Sequence, residues 1–139
     1  MRKTLGFCLT VTVLLFGLSA LANEKAPAAF QAAMKENGAT LQKLAKDVEA
    51  KDYDAIASGA ATLKKNFMGP VGKYFTDAKS EGGLKLCTDA YNAADVLEKA
   101  AKSKNEMAVA DARKAVQGTC GACHMAHREQ LPDKTYEIK

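Results

Sequence analysis

The chain has 139 residues, enough for one domain with a modest core and too few for two. Its 20 Lys and Arg face 16 Asp and Glu, a net charge of +4. A nucleic-acid-binding protein needs a concentrated basic face, and none is evident here.

The N-terminus reads Met1-Arg2-Lys3, then an apolar run from Leu5 to Leu21, then Ala20-Leu21-Ala22 ahead of Asn23-Glu24-Lys25. A charged start, a short apolar stretch and a small-x-small ending predict a secretory signal over residues 1–22, cut after Ala22. The run nearly reaches spanning length, so an uncleaved anchor is the alternative. Cleavage would remove Arg2 and Lys3, leaving 18 basic and 16 acidic residues, a net charge of +2. Cys8 would go with the signal, leaving Cys87, Cys120 and Cys123. Three is an odd number, which argues against a framework of disulfides.

Residues 23–139 are rich in Ala, Lys, Leu and Glu, a composition that favours helices, and no segment reads convincingly as a strand. A first helix follows Pro27, with Phe30, Met34, Asn37, Leu41, Leu44 and Val48 along its seam. A second runs from about Asp52 to Thr76, with Tyr53, Ile56, Ala60, Leu63 and Phe67 on one stripe and a kink or break at Gly69-Pro70. A third follows a turn at Glu81-Gly82-Gly83 and carries Cys87, Ala90, Ala94, Leu97 and Ala101. The fourth starts near Asn105 and carries Val109, Ala112, Val116, Cys120 and Cys123 toward roughly Gln130. The tail from Pro132 reads as a surface extension. Four amphipathic helices with short links predict an all-α, antiparallel up-down-up-down four-helix bundle.

The fourth helix holds Cys120-Gly121-Ala122-Cys123-His124. Cys-x-x-Cys-His is the attachment pattern of a c-type haem: two thiols one turn apart add to the vinyl groups, and the adjacent imidazole takes the iron. Covalent haem is attached outside the inner membrane in bacteria, so an export signal and this motif support each other. A zinc site would need a second ligand pair, and Cys87 stands alone. A thioredoxin-like disulfide belongs early in an α/β domain, after a strand. A structural Cys120–Cys123 disulfide is the plainest rival.

The second axial position decides between classes of haem protein. His124 sits roughly 9 Å from the predicted end of its helix and Met34 roughly 10 Å from the start of its own, at the same end of an antiparallel bundle. By spacing alone Met34 is either an iron ligand or an ordinary core methionine. Met125 adjoins His124, Met107 lies roughly 25 Å back along the same helix, and His127 should flank the ring. Met68 is a rival beside the Gly-Pro break.

These features resemble the cytochrome c′ family, the class II c-type cytochromes, over most of the mature sequence. The shared elements are a haem motif near the end of a fourth helix and a first-helix Met-Lys-x-Asn-Gly element, here Met34-Lys35-Glu36-Asn37-Gly38. The resemblance is to the low-spin branch, and it implies one haem c held by Cys120 and Cys123, His124 as proximal ligand and Met34 as distal ligand. It also implies Arg128, one helical turn past His124, beside a haem propionate. The expected role is periplasmic electron transfer with redox partner proteins, without a reaction catalysed by the chain alone. The alternative is a five-coordinate protein binding nitric oxide or carbon monoxide at open iron. Homodimers through the first two helices are frequent in the family, though no exposed apolar stripe here demands one. The family's third helix often opens on a tryptophan, which this chain lacks in the region Leu84 to Cys87.

Overall fold

Three short links of one design divide the chain in the computed structural model, which describes residues 26–132 and 136–138. The signal segment 1–22 and Cys8 lie outside the described residues. In each link a lysine adopts the left-handed conformation: Lys51 at φ 53°, Lys79 at φ 51° and Lys104 at φ 52°. The following residue, Asp52, Ser80 or Asn105, donates its backbone N–H to Asp47, Phe75 or Ala100, closing one helix. Its side chain then caps the next helix, accepting from the N–H of Ala55, Gly83 or Ala108. One polar residue therefore ends one helix and starts another.

The helices so delimited are α1 (Ala28–Glu49), α2 (Tyr53–Asn66), α3 (Gly72–Asp77), α4 (Glu81–Lys102) and α5 (Glu106–His127). A π-type turn over Phe67–Val71 joins α2 to α3. Pro70 supplies no N–H there, and Gly69 leaves helical geometry at ψ −112°. The two pieces make one bent rod, so the described residues form a mostly helical bundle of four rods. The expected break at Gly69-Pro70 is present.

Glycine usually occupies the left-handed position that the three lysines fill, because a Cβ is strained there by about 1 kcal/mol. Lys104→Gly should raise stability by up to about 1 kcal/mol, read as a higher midpoint in urea. No increase would mean that the link tolerates its lysine without strain.

α1 packs on α2, α2 on α4 and α4 on α5, whereas close backbone contact between α1 and α5 is sparse. Leu44, Ile56, Leu63, Leu97, Val109 and Val116 form the centre of the core. Alanines at 60, 90, 94 and 101 let the rods approach. A polar cluster braces the outer face of α2 and α4: Lys64 pairs with Asp95 and Glu98, which also pair with Lys99 and Lys102. The Lys64 and Lys99 ammonium groups hold the Asp95 carboxyl down at about 2.

Three expectations need correction. Gly82 and Gly83 lie inside α4, not in a turn; the turn is Ala78–Ser80. Gly83 is there for closeness, because a Cβ would run into the Phe75 ring. α5 stops at His127 instead of continuing to Gln130, since Arg128 takes extended geometry at φ −118°, ψ 129°. The tail is not a simple extension: Arg128–Gln130 (β1) pairs antiparallel with Tyr136–Ile138 (β2), and Ile138 packs on the core. Two short runs gave no periodicity to read, because three residues are too few for an alternating pattern.

Candidate functional site

The last two turns of α5 present the motif. Along a helix, Cys120, Cys123 and His124 fall within an arc of about 100°, so both thiols and the imidazole share one side. Cys120 and Cys123 are half-buried and pack against the core, while His124 is exposed. Burial pushes both thiols above their ordinary range, and Cys123 adds to the rise at Cys120. Partial burial, and then the charge of Arg128, lower the pKa of His124. That favours the neutral imidazole, the form that binds a metal.

The methionine singled out by the sequence lies on α1. Met34 is half-buried against the core, and Asn37, one turn on, is 4% exposed. A common landmark relates the two helix ends. The Phe75 ring lies 6.1 Å from that of Phe30 on α1 and 5.1 Å from that of His127 on α5, centroid to centroid. From Phe30 to Met34 is a rise of about 6 Å, and from His127 back to His124 about 4.5 Å. Each of the two residues thus lies about one turn along its own helix from a residue whose ring meets Phe75.

The other candidates have different settings. Met125 and Met107 are 77% and 75% exposed. Met68 is more than half exposed on the π turn, where it lines a groove of about 300 Å³ with Leu84 and Cys87. His127 is turned onto Phe75. Arg128 sits on β1 opposite Ile138, not on a further turn of α5, yet its charge still reaches His124.

Two residues with a part in this region carried little signal in the sequence. Phe75 lay in the short helix after the kink, where periodicity is lost. Asn66 is as buried as Asn37 and donates to both Asn37 and Glu36. The one available sign was Asn37, a polar residue on the apolar seam of the first helix.

Cys87 is buried, and burial first, then the nearby Cys123 thiol, push its own thiol up to about 12. In folded haem-free protein, iodoacetamide should label Cys120 and Cys123 and leave Cys87 unmodified until denaturant is added. Mass spectrometry of timed samples checks this, and equal labelling of Cys87 would contradict its burial.

Comparison with protein-family models, with curated proteins and with solved structures returns no match.

A covalent haem is compatible with the residues present. Two thiols and an imidazole share one side of α5, a half-buried thioether stands on α1 one turn past Phe30, and close contact between α1 and α5 is sparse. The region also holds an unmet polar group, for the Nδ2 of Asn37 is buried without an acceptor.

Proposed function

We propose that the mature chain, residues 23–139, is a periplasmic one-electron carrier of the c type, exported by residues 1–22. Cys120 and Cys123 tether a single haem c, His124 is the proximal iron ligand, Met34 the distal one, and Arg128 stands beside a propionate. The observation that carries this reading is the shared contact of Phe30 and His127 with Phe75, which supports placing Met34 and His124 at one level. The haem, when bound, supplies a one-electron couple.

The chain's own residues account for the rest. Three-residue links favour an up-down-up-down arrangement, which would put the start of α1 beside the end of α5. The aliphatic core keeps water from the inner side of the site. A thioether is a soft donor that favours the ferrous state, so Met34 would raise the potential above that of a harder ligand. No substrate is transformed; the partners are redox proteins that meet the exposed side.

Optical spectra of protein matured in a haem-attaching periplasm test the proposal. Low-spin bands with a sulfur-to-iron feature are expected. High-spin bands that move under carbon monoxide would assign the gas-binding role instead. A colourless product with both motif thiols still open to alkylation would remove haem altogether.

A further inference from the structure

We propose that Asn37 is a positioning residue for the distal ligand, its side-chain N–H, unpartnered in the haem-free structure, taking the Met34 sulfur as acceptor once haem is bound. The inference rests on the haem reading above and adds a role for a residue that reading does not use.

The orientation of the Asn37 amide follows from its neighbours. Glu36 accepts from the Nδ2 of Asn66 at 2.8 Å, and an ionised carboxylate has only acceptors to offer. Asn66 must therefore turn its NH2 that way. The same Nδ2 donates to Oδ1 of Asn37 at 2.9 Å, so Asn37 must turn its oxygen to Asn66. Its own NH2 is left on the far side of the amide, buried and without an acceptor. A buried hydrogen bond left unmade is destabilising, since the group has given up water for nothing. Two asparagines and a glutamate thus hold a donor where the haem-free protein has no use for it.

The acceptor we assign is close in the chain. Met34 precedes Asn37 by three residues, so the two side chains are neighbours on one side of α1. Its thioether sulfur is a weak acceptor. A hydrogen bond there would restrict the methionine to one rotamer and hold it against competitors for the iron.

The test uses haem-loaded protein and imidazole as the competing distal ligand. With a net hydrogen bond of about 1 kcal/mol, Asn37→Leu should tighten apparent imidazole binding about fivefold. Haem-free Asn37→Leu should stay close to wild type in stability, because one unmet donor goes while an N–H of Asn66 loses its acceptor. Glu36→Gln serves as a second variant: its amide can donate, which frees Asn66 and hence Asn37 to turn over. It should tighten imidazole binding by a smaller factor at an exposed, structurally tolerant position. Imidazole affinity within twofold of wild type in both variants overturns the proposal, whatever the unfolding curves show. If wild type itself lacks the sulfur-to-iron band, the haem reading fails first, and the two failures are told apart.

Discussion

Met34→Ala should convert a low-spin spectrum into a high-spin one that shifts on exposure to carbon monoxide. The effect is large because nothing else on α1 can take over. Lys35 and Glu36 are exposed, Ala33 has no donor, and the amide of Asn37 is held by Asn66. Met125 shares a helix with His124 and cannot cross to the other face. The thioethers at Cys120 and Cys123 would keep the haem in place, so loss of the ligand is not loss of the cofactor. Removing a half-buried methionine costs about 2 kcal/mol or less, which the fold should survive. Met68→Ala is the control and should leave the spectrum as it was. The reverse pattern, with Met34→Ala silent and Met68→Ala high-spin, would move the distal role to the groove beside Cys87.

Much of this arrangement was legible in the residues, for identifiable reasons. The seams Phe30 to Val48 and Cys87 to Ala101 kept helical period over many turns, and the structure buries Phe30, Leu44, Cys87, Ala90, Ala94, Leu97 and Ala101. Gly69-Pro70 broke a helix because proline lacks an N–H. Gly82-Gly83 misled for the same residue type's other use. There Gly83 admits the Phe75 ring, a tertiary demand that no local rule reports. The end of α5 was misplaced because nothing in His127-Arg128-Glu129 stops a helix; pairing with Tyr136–Ile138 does. For the site, the thiols and imidazole were named by spacing within one helix. The bond from Asn66 to Asn37 was not, because it joins residues 29 apart.

The second large effect is expected far from the motif. Phe75 is 2% exposed and touches the rings of Phe30, Tyr74 and His127, while its side chain fills the space that Gly83 leaves open. Phe75→Ala would empty that volume, where residues of all four rods meet. Buried phenylalanine to alanine costs about 3–5 kcal/mol, against a total of about 5–15 for a domain of this kind. At about 4 °C per kcal/mol, the melting temperature should fall by roughly 12–20 °C. Phe75→Leu keeps most of the volume and should lose less than half as much. Gly83→Ala should also destabilise, since the new methyl and the ring want the same space. In haem-loaded Phe75→Ala protein, Phe30 and His127 lose their shared partner, which removes this link between α1 and α5. The low-spin band should then give way at a temperature below that of global unfolding. A variant that melts within about 5 °C of wild type and keeps its low-spin band up to that point would show that some other contact sets the depth of Met34 against His124.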